Sequence, residues 1–450
     1  MLIILGNGII SLANILSFHN MQSSPSMQKS VFRFNIFYLS FMVLWPLLQV
    51  EFFGGFDGAG RIGWFLMTLA CFVNGKSMFQ VPKIMLIWGV WILYNVILCQ
   101  IKGFNMGIPF PIWATNSLIK PFITMLVAYN AFRQDSGKTV KLLFYCWFVF
   151  VALGLATMQG HTRDVMGEDI IRQNNEMGNH FINASVFLLM FALYARNKGL
   201  IKINIFIVAC LIEIIAIVLS GSRKGMLSIF IIFFMSYVGK KADMSMKQMI
   251  RIGFIAMITY LLVQIIMTYT VTGLRILADY EKHKYEDNWF LSNMGDRAFM
   301  YDCGWKLFLE NPLTGIGLQN FRLQNALGID LALHTEYMVQ ICECGLIGSV
   351  LFLIFYYGMA KRIVLLLNSG ANKQGTFVLL ATFVAFLIMS FFTWTYSGIY
   401  YFIFFGFIYA VYDNNKSLNI HNSKYGKNII GNRNNMWRFS ENDNSLWKDF

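Results

Sequence analysis

The sequence predicts an all-α integral membrane protein with about twelve transmembrane helices and one large extracytoplasmic loop containing short helices. Three observations predict it. Of the 450 residues, 57% are hydrophobic and only 13% are charged. Apolar runs recur from the first residue to about position 412, and a bilayer core needs about 20 mostly apolar residues per helix. The period-two alternation of a membrane barrel is missing, which leaves helices as the spanning structures whose backbone bonds are made internally.

The apolar runs place spans near 35–53, 62–74, 83–100, 112–132, 141–158, 179–196, 202–220, 224–238, 252–272, 337–359, 374–393 and 396–412. They divide the chain into an N-terminal segment (1–33), a first group of helices (34–272), a large loop (273–336), the last three helices (337–412) and a polar tail (413–450). Residues 1–18 are consistent with an extra helix, an interfacial segment, or sequence upstream of a start at Met27. The tail is rich in Asn, Lys and Arg and reads as disordered.

Sidedness follows from the basic residues. Arg133, Lys138 and Lys141 share one loop, Arg196, Lys198 and Lys202 a second, Lys240, Lys241, Lys247 and Arg251 a third, and Lys361, Arg362 and Lys373 a fourth. Short basic loops mark the cytoplasmic side, so the tail is cytoplasmic and the loops at 159–178, 221–223 and 273–336 face outward. The same placement accounts for the formal charge of +13 without nucleic acid as a partner. Six of the seven cysteines lie in apolar runs, Cys303 alone in a polar loop, which excludes a disulfide framework and gives no zinc pattern.

The outer loop from Gly273 to Glu336 is long enough to predict a functional role. Within it 295–310 reads as an amphipathic helix, ended by Asn311-Pro312 and followed by the tight Gly315-Ile316-Gly317 turn. Nucleotide chemistry is not indicated: the phosphate-loop and dinucleotide fingerprints are missing, as is a D-x-D pair for a metal-bound nucleotide sugar. The outward segments instead carry His161, Arg163, Arg172, Arg223, Lys224, Arg275, His283, Arg297, Arg322 and His334. Guanidinium groups are forks for phosphate oxygens. Arg223 stands out, because it occupies a tight turn between two spans. Within the spans, Lys120 and Glu213 lie about 10–12 Å from the outer helix ends at 1.5 Å per residue; such intramembrane charges mark function or a structural pair.

"SGSRKG" at 220–225, the Arg297-x7-Trp305 spacing, "ENPLTGIGLQNF" at 310–321 and "HTEYMVQICECGLIGSVLFL" from His334 resemble, in that order, the bacterial O-antigen ligase and O-antigen polymerase superfamily. More weakly, "IRQNNEMGNHFINAS", with Arg172, is similar to that family's Arg-x-Asn outer loop. The resemblance implies a twelve-helix enzyme of the bacterial cytoplasmic membrane. It would take glycans from polyprenyl diphosphate on the outer face and pass them to an acceptor glycan. It implies diphosphate-binding roles for Arg223 and Arg297 and a catalytic role for His334; Arg172 in the outer loop and the intramembrane charges Lys120 and Glu213 are candidate supporting residues.

No cofactor or metal is expected, since the diphosphate already activates the sugar. Membrane lipid, a chain-length regulator and a flippase are the further partners it implies. Three functions compete: a polymerase of lipid-linked repeat units into a surface polysaccharide such as O-antigen, capsule or exopolysaccharide; a ligase transferring glycan to a lipid A core or protein; and a transporter of lipid-linked sugar. Charge gathered on one outer loop favours an enzyme over a transporter. The ligases share His-[Asn/Ser/Gln], nine residues, then Gly-x-x-Thr-Gly. This chain keeps His334 and Gly345 at that spacing but has Thr335 and Gly348-Ser349 instead, a departure that favours polymerase.

Overall fold

The computed structural model describes residues 25–48, 80–104, 109–157, 168–220, 223–239, 296–324, 333, 335–369 and 373–432. Among these, all regular structure is helical. The helices are α1 (Pro25–Leu48), α2 (Lys83–Lys102), α3 (Phe110–Ala114), α4 (Lys120–Gln134), α5 (Ser136–Thr157), α6 (Glu168–Asn197), α7 (Ile203–Ser220) and α8 (Arg223–Gly239). After them come α9 (Asp296–Glu310), α10 (Phe321–Gln324), α11 (Glu336–Met338), α12 (Gly345–Asn368), α13 (Lys373–Met389) and α14 (Ile399–Asn432). Two π-helical turns, Thr115–Ile119 and Val339–Glu343, interrupt the series. The expected spans at 62–74 and 252–272 lie outside the described residues, as do 1–24, half of the large loop and the end of the tail.

Lys83–Lys102, Ser136–Leu155 and Gly345–Asn368 are long and apolar enough to cross a membrane, and Arg33–Trp45, Ile203–Ala216, Gly225–Tyr237 and Lys373–Met389 are shorter apolar helices. Helix α2 shows how such a segment is used. Leu86, Val90, Leu93, Ile97 and Ile101 recur at helical spacing on an exposed stripe, the face left for lipid. Trp88, Trp91, Asn95 and Leu98 turn inward, where Trp88 stacks on Trp91 at 4.5 Å and meets Phe355 at 4.9 Å and Phe402 at 5.3 Å. Aromatic rings supply much of this core; α14 alone buries Tyr400, Tyr401, Phe402, Phe404, Phe405, Phe407 and Tyr409.

Helix direction places the ends. Helices α12 and α14 both run from a polar knot, formed by residues 311–321, 335–349 and 390–398, to a far end. There Arg362 lies 4.2 Å over the Tyr409 ring and Tyr129 donates to Asp413 at 2.7 Å. Tyr401 donates to Asn183 at 2.8 Å, so α6 starts toward the knot, α7 returns to it, and Arg223 opens α8 at that end.

Three expectations are corrected. The span expected from 337 begins at Gly345 instead and runs through Lys361 and Arg362 to Asn368. Its charge is accommodated because the Arg362 Nη1 donates to Gly358 O at 2.9 Å while its guanidinium covers Tyr409 and Tyr412. The last two spans are separated by a nine-residue connection, 390–398, rather than two residues. The tail is helical as far as Asn432; neither Pro nor Gly occurs between Asp413 and Gly426 to stop α14.

Candidate active site

Two buried carboxylates organise the knot, and both sit ahead of Gly345, where the membrane-length helix starts. Glu336 is fully buried. Its Oε2 accepts the backbone N–H groups of Thr395 at 2.6 Å and Tyr396 at 3.2 Å, and its Oε1 accepts Gln340 Nε2 at 2.7 Å. Gln340 Oε1 in turn accepts Trp91 Nε1 at 3.0 Å. Because an indole N–H can only donate, this bond fixes which way the Gln340 amide points. Glu343 repeats the device one π-turn later: its carboxylate accepts the N–H of Gln319 at 2.9 Å and of Phe321 at 3.4 Å. Gln319 Nε2 then donates to Tyr396 Oη at 2.5 Å, which ties the two carboxylate clusters together.

Backbone geometry explains why the chain breaks here instead of continuing as a helix. Gly315 and Gly345 both have left-handed φ, +70° and +64°. A Cβ on Gly315 would lie 2.5 Å from Glu343 O and Gly345 N, so the two segments approach too closely for any side chain. Ile316 N donates to Cys342 O, Gly317 N to Glu343 O, Leu346 N to Pro312 O and Ile347 N to Leu313 O. The predicted tight turn at 315–317 is thus docked on the start of α12. Tyr94 on α2 closes the contact by donating to Thr314 O at 3.1 Å and Cys344 O at 2.8 Å.

Burial opposes ionisation of both carboxyls. It raises the pKa of Glu343 from 4.5 to about 7, against the downward pull of the N–H groups of Gln319 and Phe321 and the charge of Arg322. It raises that of Glu336 too, against the bonds from Thr395, Gln340 and Tyr396.

His334 lies outside the described residues, but both its neighbours are held. Leu333 O accepts Trp394 Nε1, Thr335 Oγ1 donates to Ser390 O at 3.3 Å, and Glu336 N donates to the same carbonyl at 2.9 Å. Arg322 stands 5.7 Å over the Trp394 ring. Arg223 and Arg297 are placed by backbone alone, as the first residue of α8 and the second of α9. Helix α9 packs Gly304 against Met338, Leu333 and Cys342, and so it belongs to the same end of the bundle. Arg172 falls in the first turns of α6, and its side chain also lies outside the described residues. Lys120, half-buried, opens α4 after the π-turn. Glu213 is fully buried on α7, and neither carboxylate oxygen has a hydrogen-bond partner among the described residues.

Residues 205–353 match the family described as O-Antigen ligase. This stretch is an O-antigen ligase family domain. No curated protein matches the chain. The O-antigen ligase family domain spans α7 to the first turns of α12, and therefore contains Glu213, Arg223, Arg297, His334 and both knot carboxylates. Lys120, Arg172 and the 390–398 turn lie outside it. The motifs quoted for Arg223, Arg297 and His334 all fall inside. Glu336, Gln340, Glu343, Gln319 and Trp394 were not singled out by sequence reading. Their signal was two glutamates seven residues apart at the head of an apolar run, a spacing that returns both to one side of a helical segment.

Proposed function

We propose that the protein is a membrane glycosyltransferase that joins polyprenyl-diphosphate-linked oligosaccharide repeat units into a surface polysaccharide at the outer face of the bacterial cytoplasmic membrane. The observation that carries the reading is that the family-matched stretch includes the start of α8, helix α9 and the pinned neighbours of position 334, the segments that carry the motifs of Arg223, Arg297 and His334.

The reaction needs two kinds of group. An acceptor sugar hydroxyl attacks the anomeric carbon of the donor, its proton passes to His334, and the bond from that carbon to the diphosphate oxygen breaks with inversion. Negative charge grows on the leaving diphosphate. Arg223 and Arg297, as planar forks for phosphate oxygens, neutralise it at the lipid interface, where such contacts contribute several kcal/mol. An imidazole with an ordinary pKa of about 6.5 suits proton acceptance near neutral pH. Leu333 and Thr335 are themselves held on the 390–396 turn, a support that suits a reaction depending on positioned groups.

Polymerase is preferred to ligase because Thr335 and Gly348-Ser349 depart from the ligase pattern and serve the knot. Thr335 bonds Ser390 O, and Ser349 Oγ donates to Gln340 O at 2.9 Å. Purified protein in liposomes, given only lipid-linked repeat units, is expected to produce a ladder of longer lipid-linked glycans with release of polyprenyl diphosphate. Transfer that appears only when lipid A core is added would assign the ligase function instead.

A further inference from the structure

Helix α9 has three faces. Met300, Cys303 and Gly304 are buried, and half-buried Leu307 completes that face at i, i+3, i+4 and i+7, against Leu333, Met338 and Cys342. Asp302, Lys306 and Glu310 follow one another at i+4 on a second, exposed and polar face, where Lys306 and Asp302 form an ion pair at 2.6 Å. The third face is exposed and apolar: Trp305 is 48% exposed, Leu309 60%, and Leu313 in the following turn 61%. A loop helix surrounded by water has one apolar face, directed at the core. This one has two.

The second apolar face is continuous with the outside of a membrane span. Leu346 N donates to Pro312 O and Ile347 N to Leu313 O, which seats Leu313 beside the start of α12. From there Leu346, Ile347, Val350, Leu353 and Ile354 carry an exposed apolar surface down that helix. Trp305 stands at the upper end of this continuous surface, and tryptophan is the side chain enriched at the boundary between lipid and water.

We propose that α9 is an interfacial helix, with Trp305, Leu309 and Leu313 immersed in the bilayer leaflet beside the start of α12 and Asp302, Lys306 and Glu310 facing water. The inference stands independently of the transfer reaction. Where transfer holds, it gives the helix that begins with Asp296 and Arg297 a fixed depth, at the level where a lipid diphosphate lies. Part of the 273–336 segment is then in the membrane surface and not clear of it.

The test places a nitroxide at single cysteines, in a variant lacking the seven native ones, reconstituted in phosphatidylcholine–phosphatidylglycerol liposomes. Relaxation by oxygen, which concentrates in the bilayer, is compared with relaxation by a water-soluble nickel chelate. Labels at Trp305→Cys, Leu309→Cys and Leu313→Cys are expected to favour oxygen, and labels at Asp302→Cys and Lys306→Cys to favour nickel. Equal nickel access around the helix would mean an aqueous loop, and low access to both reagents at 309 and 313 would mean a protein partner covers the face. Either result overturns the proposal. Position 313 lies beyond the helix, so it gives a reading even if Trp305→Cys does not assemble.

Discussion

Glu336 and Glu213 are both fully buried, and their surroundings differ completely. Glu336 has both oxygens engaged, by two backbone N–H groups and an amide whose own orientation is set by Trp91. Glu213, on a helix of membrane-spanning composition, has no hydrogen bond to either oxygen among the described residues. A buried carboxyl with its donors in place holds loops together; one without them carries an uncompensated desolvation cost. Such a cost is retained where the group has a task other than stability. The comparison therefore separates the structural acids of the knot from Glu213, the acid to examine for function.

The largest effects are expected at the two arginines proposed to bind the diphosphate. Arg223→Lys and Arg297→Lys keep charge but lose the fork, and transfer by either variant should fall about 10²-fold at unchanged protein level. Full activity in both would remove these residues from the site and leave the knot as a purely structural feature.

A smaller effect, more informative about geometry, concerns Glu336. Glu336→Gln turns an amide N–H₂ toward the Gln340 amide, and should cost about 1–3 kcal/mol for the mismatched buried groups. Adding Gln340→Glu restores a donor facing an acceptor throughout, from Trp91 to Thr395, with the charge moved one helical turn. Unfolding temperature in detergent should drop in the single variant and recover in the double. Failure of the double variant to recover would mean that charge at position 336 itself is required.

Replacing each acid by leucine sharpens the contrast. Glu336→Leu strands the N–H groups of Thr395 and Tyr396 and should destabilise the protein. Glu213→Leu removes an unpartnered carboxyl and should stabilise it by about 1–3 kcal/mol while lowering transfer. Equal destabilisation by both would show that Glu213 is a structural acid like the others.

The smallest expected effect is the pH dependence of Glu343. A carboxyl whose folded pKa is raised contributes stability that is complete below its unfolded pKa and is lost as pH rises through the folded one. For Glu343 that window runs from 4.5 to about 7. The unfolding temperature of the native protein should therefore decline more between pH 5 and pH 8 than that of Glu343→Gln; parallel profiles would remove Glu343 as the titrating group.

Hydropathy located the spans closely where a helix is apolar throughout. The expected 83–100, 202–220 and 224–238 became Lys83–Lys102, Ile203–Ser220 and Arg223–Gly239. It failed at 336–345, because averaging over a window conceals two carboxylates among apolar neighbours, and because their backbone N–H partners lie 22 to 60 residues away in sequence. No local spacing encodes a bond from Glu336 to Tyr396. The glycines were legible as a turn at 315–317, but their role in bringing two backbones together needed the second glycine, Gly345, which sequence reading used only as a motif landmark. Ordered motifs nominate Arg223, Arg297 and His334, whereas no motif signals the groups that hold the residues around His334.

The central claim is that His334, set between pinned neighbours, takes the acceptor proton in transfer from a lipid diphosphate. It is tested most directly with purified His334→Ala in liposomes, measuring donor binding and polymer length side by side from lipid-linked repeat units, with and without a chelator. The expected result is retained donor binding with transfer reduced by about 10²–10⁴-fold, the loss typical of a missing general base, and a wild-type rate unchanged by chelation. Near-normal polymer from the alanine variant would contradict the account.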